Sequence, residues 1–111
     1  PVRDFIFADD ASEAIISLLE TDHTGTVNLG TGISHSVGEL TDIIEELSGK
    51  KITDLEKEVT GVMKFCTDIT LLKELTGWKP RHSLKQGLSK AFNTMKGNLN
   101  ENIFKEQYGI K

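Results

Sequence analysis

The chain has 111 residues, 37% of them hydrophobic and 27% charged, a balance that suits one soluble folding unit built on one core. Thirteen Lys and Arg against seventeen Asp and Glu give a formal net charge of -4 with no basic block. That argues against a nucleic-acid surface and against attraction to an acidic membrane, so any phosphate site has to be local.

A single cysteine, Cys66, excludes an internal disulfide framework and points to a reducing compartment, so a cytoplasmic location is expected. No apolar run reaches the roughly 20 residues that span a bilayer, and the opening PVRDFIFADD lacks a signal-peptide layout. The chain opens on Pro1, almost directly ahead of a strand-like segment, and is therefore expected to be an excised piece.

Arg3 to Ala8 is apolar and aromatic, a short strand pattern that runs into Asp9 and Asp10. Asp10 followed by Glu13 has capping-box spacing, and Ala11, Ala14, Ile15, Leu18 and Leu19 form one helical stripe ending near Glu20. After a turn, Thr26 to Leu29 predicts a second strand that enters Gly30-Thr31-Gly32. Ser36 with Glu39 predicts a capped helix carrying Val37, Leu40, Ile43, Ile44 and Leu47 and stopped by Gly49.

Lys50 to Val59 does not choose between strand and loop, whereas Val62 to Cys66 is a candidate extended segment. Asp68 predicts the cap of a helix through Ile69, Leu72 and Leu75, ending at Gly77, and Pro80 biases Lys79 out of the helical region. Ser83 with Gln86 opens a last helix bearing Leu84, Leu88, Ala91, Phe92 and Met95, with Gly97 at its end. The expected fold class is α/β, short strands alternating with capped amphipathic helices, with residues 1-97 as the folded portion. Residues 98-111 form a polar tail, either a short docking helix or frayed, with Ile103, Phe104 and Tyr108 as its apolar anchors.

Gly30-Thr31-Gly32 sits where a dinucleotide fingerprint would, but His35 stands where the third glycine belongs, so a tight structural turn is the better reading. Tyr108 is the lone tyrosine and Lys111 the lysine after it, the wrong spacing for a Tyr-x-x-x-Lys catalytic pair. His23, His35 and His82 have no neighbours at metal-ligand spacing, Cys66 is expected to be a buried structural thiol, and Asp9 with Asp10 fits capping better than acid-base work. Arg3 is either a surface ion pair with a neighbouring aspartate or, at a strand mouth, a fork shaped for a diphosphate.

The ordered set RDFIFADD (Arg3 to Asp10), NLGTG (Asn28 to Gly32), SVGEL (Ser36 to Leu40), DIT (Asp68 to Thr70), ELTGWKP (Glu74 to Pro80) and SLKQGL (Ser83 to Leu88) resembles the last third of extended short-chain dehydrogenases/reductases. That family includes the NAD-dependent nucleotide-sugar epimerases and 4,6-dehydratases, and the likeness runs in order from about Val2 to Met95. It implies that residues 1-97 are the carboxy-terminal, sugar-nucleotide-binding portion of a Rossmann-type enzyme. NAD and the catalytic Tyr/Lys pair would then belong to a missing amino-terminal half of the same chain, and the portion alone would be inactive.

The resemblance further implies that Arg3 contacts the diphosphate of a nucleotide-sugar substrate. Phe65 matches a position near the sugar pocket, though packing in the core fits it equally. A second phosphate arginine common in the family is absent, its stretch reading Glu58-Val59-Thr60-Gly61, so either Lys64 or another residue substitutes or the diphosphate is held less tightly. The helix after Asp10 and the TVNL strand would normally contact the Rossmann sheet, so the portion alone would expose apolar surface open to self-association into a homo-oligomer or to an altered arrangement. An epimerase is the leading expectation, a dehydratase or reductase the rival within the family, and a non-catalytic binding module the rival outside it.

Overall fold

The computed structural model describes residues 1-58 and 60-98. Its elements in chain order are β1 (Val2–Arg3), α1 (Ala8–Leu19), β2 (His35–Ser36), α2 (Val37–Ser48), α3 (Thr70–Thr76) and α4 (Leu84–Asn98). β1 and β2 pair antiparallel, with Val2 opposite Ser36 and Arg3 opposite His35. α1 packs on α3, and α2 on α4. The expected α/β alternation is present, with helices carrying most of the structure.

Local chemistry explains where the helices start and stop. Ser36 Oγ accepts from Glu39 N at 3.0 Å, and Gly49 closes α2 in the left-handed region at φ 70°, a conformation that favours glycine. The box is half-formed, because the Glu39 carboxylate turns to His35 Nδ1 at 2.7 Å. Ser83 and Gln86 complete theirs reciprocally, Gln86 N donating to Ser83 Oγ at 3.2 Å and Ser83 N to Gln86 Oε1 at 2.9 Å. Asp68 acts one residue earlier than expected: Ile69 is the cap residue of α3, while Asp68 Oδ1 takes both the N–H and the hydroxyl of Thr70. Gly97 does not stop α4, which continues to Asn98. The tail anchors Ile103, Phe104 and Tyr108 lie outside the described residues.

Two expected strands are not formed. β1 ends at Arg3, and residues 26-29 adopt no strand; an extended segment needs a neighbouring backbone for its N–H and C=O groups, and the described residues supply none there. Of the Val62–Cys66 candidate, Lys64 alone forms a bridge, parallel to Val2. Residues 50-58 are irregular and exposed.

The core is small. Ala14 from α1, Ile69 and Leu72 around α3, and Trp78 from the turn after it are buried together, with Ile6, Leu18, Val27 and Leu29 against them. Val27 and Leu29 thus serve the fold through their side chains without a strand ladder. Ile15 and Leu19 of the α1 stripe face outward together with the adjacent Ile16, Leu19 being 79% exposed and the two isoleucines more than half exposed.

Candidate functional site

Val2 and Arg3 lie between two extended stretches, β2 on one side and residues 63-65 on the other. Val2 N donates to Met63 O at 2.7 Å, and Phe65 N donates to Val2 O at 2.9 Å. The alternation of an extended chain sets Met63 and Phe65 on the face of Arg3, and Lys64 with Val2 on the other.

The Arg3 guanidinium is braced by backbone: Nη1 donates to Val2 O at 2.8 Å and to Met63 O at 3.3 Å. Among the described residues no carboxylate lies within ion-pair distance of it, so the surface ion pair is not formed. A guanidinium carries five N–H donors. With one terminal nitrogen occupied, the rest of the fork remains for an anion. Phe65 is 53% exposed and lies outside the core of the described residues.

Asp4, the next residue, faces a different task. Its carboxylate accepts from Thr31 N at 3.0 Å on both oxygens, from the Thr31 hydroxyl, from Gly32 N at 2.9 Å and from Thr67 N at 3.4 Å. Partial burial pushes the Asp4 carboxyl up, and the bonds from Thr31, Gly32 and Thr67 together outweigh it, holding the group below its ordinary range. The N–H groups that would cradle a pyrophosphate are thus aimed at the protein's own carboxylate. A Cβ on Gly30 would stand 2.4 Å from Thr67 Oγ1 and 2.8 Å from Asp4 Oδ2, so the turn is closed by side chains. These residues do not fit a dinucleotide, and Gly30-Thr31-Gly32 is a structural turn.

Asp10 corrects a second expectation. α1 starts two residues ahead of it, with Phe7 as the extended cap residue and no side-chain cap. Asp10 is 1% exposed and accepts from Arg81 N at 3.2 Å, His82 N at 3.1 Å and His82 Nδ1 at 2.9 Å. Burial raises its carboxyl, and the bonds from the His82 ring, Arg81 N and His82 N, with the charge of His82, bring it below the ordinary value. Lys90 Nζ lies 2.8 Å from His82 Nε2, and the Phe7 and His82 rings sit 4.8 Å apart at 60°. Glu13, expected to complete a box with Asp10, instead meets Arg81 Nε at 3.2 Å.

Cys66 is exposed, contrary to the buried thiol expected of it; it follows Phe65 on an irregular stretch. Among the described residues no group of three or more His, Cys, Asp or Glu is placed to hold a metal. The residues missed by sequence reasoning are Asp4 and His82, whose partners lie up to 63 and 72 positions away. No local spacing signals such pairs.

No protein-family model matches the chain. It is 32% identical over 109 residues to a GDP-L-fucose synthase from Sinorhizobium fredii, the match covering 92% of this chain and 33% of the relative. It is 37% identical over 99 residues to a putative UDP-glucose 4-epimerase from Methanocaldococcus jannaschii, covering 86% of this chain and 32% of that protein. The crystal structure of a UDP-glucose 4-epimerase with UDP-glucose from Thermotoga maritima superposes with a TM-score of 0.78 at 30% identity, over 89% of this chain and 33% of that one. The chain belongs to the NAD-dependent nucleotide-sugar epimerase/dehydratase family. As a family member it spans about one third of the length of the relatives it matches, and its helix-rich α/β architecture is theirs over that stretch.

Proposed function

We propose that this chain is the carboxy-terminal, substrate-gripping portion of an NAD-dependent nucleotide-sugar epimerase, with Arg3 on the diphosphate and Phe65 beside the sugar. The observation that carries the reading is the state of Arg3: braced on two carbonyl oxygens, unpaired with any described carboxylate, and set on one face with an exposed Phe65. The relatives' names support it from another side. A GDP-sugar enzyme and a UDP-sugar enzyme differ in base, sugar and reaction and share a nucleoside diphosphate. A stretch common to both is well suited to hold that shared group.

In this reading the bonds to the diphosphate orient the sugar at catalytic groups and NAD supplied by a part of the protein outside this chain. NAD, held outside this chain, would supply the hydride chemistry at the sugar, while Arg3 and Phe65 would bind and orient the nucleotide sugar for it. The outward α1 face with Ile15, Ile16 and Leu19 is then where the cofactor-binding part packs. The similarity to GDP-L-fucose synthase keeps a reductase as the second reading.

The test is Arg3→Ala in the complete protein, with binding of UDP and GDP followed by calorimetry. Losing a charge-assisted contact of about 1.5–3 kcal/mol weakens diphosphate binding roughly 10- to 150-fold, and NAD affinity stays as it was. Unchanged affinity for both nucleotides removes Arg3 from the site and the reading with it.

A further inference from the structure

Arg3 has a carboxylate as its immediate neighbour in sequence, and a cation meant for an anionic ligand is lost if that neighbour neutralises it. The geometry prevents this. A carboxylate offers about four lone-pair sites. Those of Asp4 are taken up by Thr31 N, the Thr31 hydroxyl, Gly32 N and Thr67 N.

The same bonds build the frame on which Arg3 rests. Arg3 is braced by Met63 O, so its position depends on residues 63-67 staying docked beside β1. Two backbone bonds between Val2 and Met63/Phe65 hold the upper part of that stretch. Lower down, Asp4 reaches Thr67 N, and Gly30 admits the Thr67 side chain so closely that no Cβ fits between them. Three stretches far apart in sequence, 2-4, 30-32 and 63-67, therefore converge on one side chain.

Resting on the proposed role of Arg3, we infer that Asp4 is a positioning residue for diphosphate recognition: it ties the Thr31-Gly32 turn and Thr67 to the base of Arg3, holding the guanidinium in place and free of an internal partner. Asp4 touches no substrate; it acts through Arg3. In Asp4→Asn one oxygen becomes an NH2 that faces N–H donors, so the frame loosens while size and shape are kept.

The experiment is a double-mutant cycle in the complete protein, with UDP and GDP as calorimetric probes and NAD as the control ligand. Asp4→Asn is expected to weaken binding of the tighter nucleotide about tenfold, to leave NAD affinity unchanged, and to add less than about twofold in an Arg3→Ala background. Where Asp4→Asn does not fold, Thr31→Val removes a single hydroxyl donor and should weaken binding about threefold with the same non-additivity. If Arg3→Ala weakens binding and the Asp4 or Thr31 variant does not, the positioning role is overturned and the role of Arg3 stands. Equal losses with and without Arg3, or a parallel loss of NAD affinity, overturn it as well by showing a purely structural effect. No effect of Arg3→Ala sinks the parent reading, and this one with it.

Discussion

Asp10→Asn tests the one fully buried carboxylate among the described residues. In the native chain Asp10 Oδ1 serves Arg81 N and the His82 ring, and Oδ2 serves His82 N. The amide keeps an oxygen for the first two and turns an NH2 toward the third, stranding a buried donor at about 1–3 kcal/mol. The two surviving bonds drop from charge-assisted to neutral, which adds about 1 kcal/mol. Urea unfolding of the 111-residue chain, followed by the fluorescence of buried Trp78, should show a loss of about 2–4 kcal/mol at pH 7.

The pH dependence fixes the cause. The folded Asp10 carboxyl titrates below its ordinary value of 3.8, so its contribution is complete above that value and disappears as pH falls through the lower folded one. The gap between native chain and variant should accordingly be full at neutral pH and shrink on strong acidification. Asp4, Glu39 and Asp68 are lowered too, but they are common to both proteins and cancel in the difference. A gap under about 0.5 kcal/mol at pH 7, or one that persists unchanged into strong acid, refutes the assignment.

Two further outcomes follow from the geometry. Gly30→Ala places a methyl 2.4 Å from Thr67 Oγ1 and should cost about 1–3 kcal/mol in urea unfolding, against no change if the turn had room. Cys66, being exposed, should react with a thiol reagent in native buffer about as fast as in urea, within roughly tenfold; strong protection would contradict its position.

What the sequence made legible was set by range. Ser36 and Ser83 were readable as caps because the groups they bond lie three residues away, and Gly49 and Gly77 as stops because a left-handed residue ends a helix locally. Asp10 misled for the same reason: it had the spacing of a local cap, while a histidine 72 positions on was the stronger partner. Residues 26-29 had strand composition but no adjacent backbone among the described residues, and pairing is not a property of one segment. At the candidate site, Arg3 was readable as a cation beside a strand, but the Asp4 bonds to Thr31, Gly32 and Thr67 were not, since a carboxylate advertises nothing about which distant N–H groups it will meet.

The convergence of residues 2-4, 30-32 and 63-67 also governs when the site exists during folding. Closing a loop of about 63 residues costs roughly 4 kcal/mol of chain entropy before any contact repays it. Synthesis proceeds from the amino end, so Arg3 emerges long before Met63 and Thr67 are made, and helices α1 and α2 are complete while the guanidinium still has no bracing carbonyl from Met63. The bracing of Arg3 by Met63 is thus a late event in the life of the nascent chain, later than the completion of both early helices.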